Sequence, residues 1–150
     1  VVRVRSYAKG ARSERVSSEV SELVNKAVRE FKRQSGERVE VKLTQAQPVH
    51  VIVNPLEFEL VIINLLRNAA QALQELGVSN PKVDLTIRRS DNSAMITIED
   101  NGHIEKETIA KLSEPTNSTK ADGLGLGLQI VRSIIENHGG KISFSPLPAA

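Results

Sequence analysis

The sequence predicts an α/β domain, and three observations predict it. Stretches near residues 21–35, 54–77 and 124–138 repeat apolar residues at helical spacing. Several shorter stretches alternate apolar and polar residues as half-buried strands do. The length of 150 residues suits one domain with a real core. Composition agrees, since 39% hydrophobic and 25% charged residues is an ordinary globular balance. The formal charge is only +2, and no lysine-arginine stripe carries interleaved aromatics, so nucleic acid is not expected as a partner. The absence of cysteine excludes disulfides and thiolate metal sites. No apolar run approaches the length of a membrane span and no signal peptide is visible, so no membrane contact is expected of this chain. It starts at Val1 without an initiator methionine. That predicts a cytoplasmic piece of a longer protein, with any membrane anchor lying outside it.

Val1 to Arg15 is basic and weakly periodic, with Val2, Val4 and Tyr7 as its apolar positions, and reads as a helix end or a linker. From Ser21, a good N-cap, Leu23, Val24, Ala27, Val28 and Phe31 recur at helical spacing until Ser35-Gly36. Val39, Val41 and Leu43 alternate with polar residues, and so do Val49, Val51 and Val53. These two runs predict an antiparallel pair, with His50 facing outward. Asn54-Pro55-Leu56-Glu57 is a helix start: Asn54 as cap, Pro55 in the first position, Glu57 placed to complete a capping box. The helix runs through Phe58, Val61, Ile62, Leu65, Leu66, Ala69, Leu73 and Leu76 to a stop at Gly77. Its other face carries Glu57, Asn64, Asn68, Gln71 and Glu75, and periodicity alone makes that a solvated face.

Val83, Leu85 and Ile87 alternate, as do Ala94, Ile96 and Ile98, predicting two strands about a turn at Ser90-Asp91-Asn92-Ser93. A polar segment from His103 to Asp122 follows, with a short helix predicted at Lys106 to Leu112. So long a stretch without core-forming pattern is expected of a mobile functional element. The last predicted helix buries Leu128, Val131, Ile134 and Ile135, ends at His138-Gly139-Gly140, and leads into a strand starting at Lys141.

Gly123, Gly125 and Gly127 stand at the mouth of that helix. Glycine costs a helix about 1 kcal/mol relative to alanine, so three together call for a reason. One is close approach: without Cβ atoms the backbone N–H groups can lie against a ligand, where the helix dipole favours phosphate. The other is a flexible loop before a core helix. Asp100 likewise has two readings, an acceptor at the end of a strand or a turn-forming residue before Asn-Gly.

Three segments, Asn64-Leu65-Leu66-Arg67-Asn68-Ala69-Ala70, Ile98-Glu99-Asp100-Asn101-Gly102 and Asp122-Gly123-Leu124-Gly125-Leu126-Gly127, occur in that order. They resemble the Asn box, the D-x-G box and the glycine box of the catalytic, ATP-binding domain of sensor histidine kinases. These belong to the superfamily that includes gyrase, Hsp90 and MutL. The closest likeness is to the nitrogen- and dicarboxylate-sensing kinases. The resemblance implies a Bergerat-type two-layer α/β sandwich, a mixed, mostly antiparallel sheet covered on one face by three main helices. It makes residues 1–15 the end of a dimerisation helix or a linker and residues 16–150 the catalytic domain. That domain is expected to be truncated, since Pro146 to Ala150 does not look like the family's last strand.

The same resemblance implies a protein-histidine kinase of a two-component system that binds ATP with Mg²⁺. It implies that Asp100 and Gly102 read adenine, that Asn68 ligates Mg²⁺, and that Gly123, Gly125, Leu126 and Gly127 cradle phosphates. Lys120 is a candidate γ-phosphate contact. In the ATP-hydrolysing relatives a glutamate stands where this chain has Asn64. An amide is no general base near neutral pH, so phosphotransfer is expected over hydrolysis. The acceptor would be a histidine on a dimerisation domain of the same homodimeric protein, with a response regulator downstream. None of His50, His103 or His138 has the H-E-x-x-x-P context of that acceptor.

The chain departs from the family pattern at Asp100-Asn101-Gly102-His103-Ile104, which lacks the second glycine of D-N-G-x-G-I. It departs again at Ser113, Thr116 and Asn117, where the lid normally has phenylalanines. Both departures are expected to lower activity and leave a second reading open, a nucleotide-binding signalling module with little catalysis. A gyrase-type ATPase clamp is disfavoured by Asn64. An unrelated dinucleotide-binding fold is disfavoured because the G-x-G-x-G run follows a polar loop.

Overall fold

A computed structural model describes residues 2–5, 14–36, 38–102 and 124–144. The elements are β1 (Val2–Arg5), β2 (Val16–Glu19), α1 (Val20–Ser35), β3 (Glu40–Gln45), β4 (His50–Val53), α2 (Pro55–Glu75), β5 (Lys82–Ser90), β6 (Ser93–Asp100), α3 (Leu124–Asn137) and β7 (Lys141–Ile142). One five-stranded sheet has the order β3-β5-β6-β1-β7, and β2 and β4 form a separate two-stranded sheet. The larger sheet is mixed: β3 runs parallel to β5, and the other pairings are antiparallel.

Period-two patterning decides which face is covered. Val83, Leu85 and Ile87 of β5 are buried, while Asp84 between them and the flanking Lys82 and Arg88 are exposed. The buried face meets the helices. Val20, Val24, Ala27 and Phe31 are the core stripe of α1. Helix α2 lies between α1 and α3 and so buries a wider arc, from Phe58 through Val61, Ile62, Ile63, Leu65 and Leu66 to Leu73. Helix α3 contributes Leu128, Val131 and Ile135. The expected α/β layering is present.

Local signals placed several boundaries. Asn54 caps α2, its side chain accepting the Glu57 N–H at 3.1 Å. Gly77 (φ 70) ends the helix in a Schellman arrangement, with Gly77 N–H to Gln74 C=O at 3.0 Å and Val78 N–H to Leu73 C=O at 3.1 Å. The β5–β6 hairpin pairs Ser90 with Ser93 across Asp91-Asn92, and Asp91 takes the positive φ of 55 that such a tight turn requires.

Other expectations are corrected. Val2–Arg5 is a strand, not the end of a helix: it pairs with β6 (Val2 opposite Ile96, Val4 opposite Ala94) and with β7. Its valines alternate with arginines, a period of two that a sheet accommodates and a helix does not. The runs at Val39–Leu43 and Val49–Val53 do not pair with each other, since β3 joins β5 and β4 joins β2. Ala46-Gln47-Pro48 between them has none of the Asn-Gly or Asp-Gly chemistry of a tight hairpin.

Helix α1 is capped by Glu19, not Ser21. The Glu19 carboxylate accepts the Glu22 N–H at 3.0 Å and the Ser21 hydroxyl at 2.6 Å. Burial pushes the Glu19 carboxyl up, but these hydrogen bonds and one from Gln45 outweigh it and hold it below its usual value. Leu76, expected in the core, is 52% exposed. The predicted helix at residues 106–112 and the lid segment lie outside the described residues.

Candidate functional site

Two contacts show that α2 and α3 run antiparallel. At one end the Asn54 N–H meets His138 Nε2 at 3.2 Å. At the other, a Cβ placed on Gly127 would lie 3.3 Å from Asn64 Oδ1. The Asn64 amide is held from behind, because its Nδ2 donates to the Leu60 C=O at 2.8 Å. Asn64 Oδ1 is thereby turned to the first turn of α3. Helix α3 begins at Leu124, so Gly125, Leu126 and Gly127 are helical residues of that turn. An α-helix leaves its first four N–H groups without an intrahelical acceptor, here those of Leu124 to Gly127, at the positive end of the macrodipole.

One turn beyond Asn64 stands Asn68, half-buried, whose Nδ2 is buried without a hydrogen-bond partner among the described residues. Its amide nitrogen is therefore not spent on a hydrogen bond among the described residues. Neither asparagine lies on a freely solvated face, since Asn64, Asn68 and Gln71 are all partly buried.

The far end of α2 meets the end of β6. Gly102 is buried, and a Cβ there would come within 2.9 Å of Leu73 Cδ2, 2.9 Å of Leu76 Cδ1 and 3.3 Å of Asp100 Oδ1. A side chain at this position would therefore force Leu73 and Leu76 to shift, and Leu73 is fully buried. Asp100 Oδ1 accepts the Gly102 N–H at 2.9 Å, so the turn-forming role weighed for it is present. Asp100 is half-buried: desolvation raises its carboxyl above the usual aspartate value, and the Gly102 hydrogen bond partly opposes the rise.

Asn101, to which sequence reasoning assigned nothing, pins this corner. Its Nδ2 donates to Asn80 C=O at 2.7 Å, its Oδ1 accepts the Lys82 N–H at 2.9 Å, and its own N–H donates to Lys82 C=O at 3.2 Å. The available signal was its place between Asp100 and Gly102. His138 was likewise read only as a helix end, although it stood before a double glycine at the close of an apolar helix.

The structure thus strings the predicted residues along α2: Gly127 with Asn64, then Asn68, then Gly102 and Asp100 at Leu73 and Leu76. From Asn64 to Leu73–Leu76 a helix advances roughly 14–18 Å, comparable with an extended nucleoside triphosphate. Lys120 and Gly123 lie outside the described residues. Among the described residues no group of three or more His, Cys, Asp and Glu could hold a metal, and no helix is long and apolar enough to cross a membrane.

Among the described residues a mixed sheet is covered by three helices, with a row of amides and glycines beside the central one, the architecture of a two-layer α/β domain. Residues 53–149 match the family described as histidine kinase-, DNA gyrase B- and HSP90-like ATPase, and the chain belongs to that family. It is similar to the C4-dicarboxylate transport sensor protein DctS of Rhodobacter capsulatus, with 31% identity over 156 residues, 96% of this chain and 22% of that protein. To the sensor protein TdiS of Thauera aromatica it is 38% identical over 101 residues, 65% of this chain and 18% of that protein. Its fold is similar to the catalytic domain of histidine kinase ThkA in a nucleotide-free form, with a TM-score of 0.72, 27% identity and 87% of each chain covered. The chain spans about a fifth of the length of the two curated relatives, 22% and 18%.

Proposed function

We propose that this domain is the ATP-binding catalytic domain of a two-component sensor histidine kinase, donating the γ-phosphoryl group of ATP to a histidine on a separate dimerisation domain. The observation that carries the reading is the order of groups along α2, phosphate-suited backbone at Gly127 beside the Asn64 side chain and an acceptor carboxylate at Asp100. In this reading Asp100 accepts a hydrogen bond from the exocyclic amino group of adenine and Gly102 keeps the pocket floor low. The N–H groups of the glycine box, from Gly123 through Gly125, Leu126 and Gly127, receive the phosphates, and Lys120 meets the γ-phosphate.

Asn68 would hold Mg²⁺, with phosphate and water oxygens completing a shell that hard cations accept. The amide oxygen of Asn68, half-buried one turn beyond Asn64, is the kind of hard donor such a cation takes. Bound there, the cation would supply neutralisation of charge developing between the β- and γ-phosphates. Asn64 supplies no general base, so water is not activated and the phosphoryl group is kept for the imidazole. The transfer breaks the bond between Pγ and the β,γ-bridging oxygen, forms a P–N bond, releases ADP and sends the imidazole proton to solvent.

The partner domain belongs to the same full-length homodimeric protein, and a response regulator takes the phosphoryl group onward. The similarity to a dicarboxylate transport sensor supports a sensor of that class, a cytoplasmic catalytic domain behind a membrane-anchored input. The missing second glycine of the D-x-G box favours one other reading, a nucleotide-binding signalling module with little catalysis. One assay separates them: incubation with labelled ATP and a histidine-bearing dimerisation domain. Label on the histidine supports the kinase; ATP binding without transfer supports the module; no binding of any adenine nucleotide sinks both.

A further inference from the structure

His138 is buried, 6% exposed, although it ends a helix. The chain around it forms a Schellman cap: Gly139 has φ 74, its N–H donates to Glu136 C=O at 2.9 Å, and the Gly140 N–H donates to Ile135 C=O at 2.8 Å. Those bonds fix the backbone from which the ring projects. The ring then makes two contacts. Nδ1 lies 2.8 Å from the Ile134 carbonyl oxygen, and Nε2 accepts the N–H of Asn54, 84 residues away, at 3.2 Å.

Together these contacts select one form of the ring. A carbonyl oxygen only accepts, so Nδ1 carries the proton, and a peptide N–H only donates, so Nε2 is bare. The other tautomer would set a hydrogen against the Asn54 N–H and a lone pair against the Ile134 oxygen. The Asn54 N–H is the group that a capping-box glutamate would have taken, and here the histidine takes it instead. The N-cap of α2 is thereby tied to the C-cap of α3.

We propose that His138 is a positioning residue for the nucleotide cleft, setting the register in which Asn64 on α2 faces Gly127 in the first turn of α3. This rests on the reading of that cleft as the ATP site. Only ten residues of α2 separate Asn54 from Asn64, and eleven of α3 separate Gly127 from His138. Each is about 15–17 Å of helix, and both lengths are rigid. A slip at the His138 joint therefore reappears at the contact of Gly127 with Asn64.

Two amide substitutions separate the joint from mere packing. The His138→Gln side chain reaches as far as Nε2 and offers an oxygen to the Asn54 N–H. The His138→Asn side chain reaches only as far as Nδ1, keeping the Ile134 bond and leaving the Asn54 N–H unpaired. We expect His138→Gln to bind ATP within about threefold of the parent and His138→Asn to lose about tenfold, the effect of one buried donor left unmade. Equal losses in both variants, or no loss in His138→Asn, would overturn the proposal.

Nitrogen-15 NMR of the nucleotide-free domain gives a readout independent of ATP. Nε2 should show the shift of an unprotonated ring nitrogen, and the Asn64, Asn68 and Gly127 signals should move in His138→Asn but not in His138→Gln. A protonated Nε2, or Gly127 signals unmoved in His138→Asn, counts against the joint. If instead the parent binds no nucleotide while these signals behave as expected, the ATP reading fails and the joint stands.

Discussion

Gly127 and Asn64 stand so close that a single methyl group cannot be added between them without displacement: a Cβ on residue 127 would sit 3.3 Å from Asn64 Oδ1. The Asn64 amide is already engaged with Leu60 C=O, so giving way by a few tenths of an ångström strains that bond or shifts α3. The Asn box and the glycine box are thus one unit, and the predictions begin there.

Gly127→Ala should leave stability nearly unchanged. Alanine favours a helix over glycine by about 1 kcal/mol, which offsets the tight contact. ATP affinity should nonetheless fall, because the added carbon pushes on the Asn64 amide at the cleft. Thermal melting and calorimetric titration check the two halves separately. A variant that binds ATP as tightly as the parent would show that the pair is not part of the site.

Gly102→Ala should destabilise the domain by about 1–3 kcal/mol, the usual cost of overpacking. Leu76, 52% exposed, can swing away from the new methyl group, but Leu73, 0% exposed, cannot. Denaturant titration measures the cost. Combining the change with Leu73→Ala should cost less than the sum of the two single losses, since the smaller side chain makes room for the methyl.

Asp100 should make stability fall with rising pH over a defined window. Its folded pKa is raised by burial, partly opposed by the Gly102 hydrogen bond. Between the ordinary aspartate value and the raised one, the folded domain holds a proton that the unfolded chain has released. Unfolding free energy from this group therefore declines as pH rises through that window and is level above it. Asp100→Asn should flatten the slope in a series of melts at different pH. An unchanged slope would mean that the carboxyl is not desolvated.

Asn101→Ala should cost about 1–2 kcal/mol, because it deletes the side-chain hydrogen bonds to Asn80 C=O and Lys82 N–H at a solvent-exposed corner. It should also loosen the support of Asp100 and weaken ATP binding more than its distance from the phosphates suggests. Parallel urea and ATP titrations test it; stability lost with affinity intact would confine Asn101 to a scaffold role.

The parts of this fold that were legible in the sequence are those whose causes are local. Asn54 and Pro55 start α2, Gly77 ends it, and Asp91-Asn92 turns β5 into β6, all through bonds within a few residues. The Asn, D-x-G and glycine boxes were legible as motifs, and the structure brings Asn64 to Gly127 and Gly102 to Asp100. Strand partners were not legible: alternating valines say that Val49–Val53 is half-buried but not that β2 lies beside it, and they could not draw Val2–Arg5 between β6 and β7.

By itself the sequence determined where α2 begins and ends, most of the inward stripe of each described helix, and the family of the domain, because caps, periodicity and motif spacing act over a few residues. Only the tertiary structure decided that the Asn54 N–H goes to His138 instead of Glu57 and that buried Leu73 crowds any side chain at Gly102. A donor or a patch of van der Waals space has many acceptable partners along a chain. The choice among them is made when packing brings one residue, here 84 positions away, within reach.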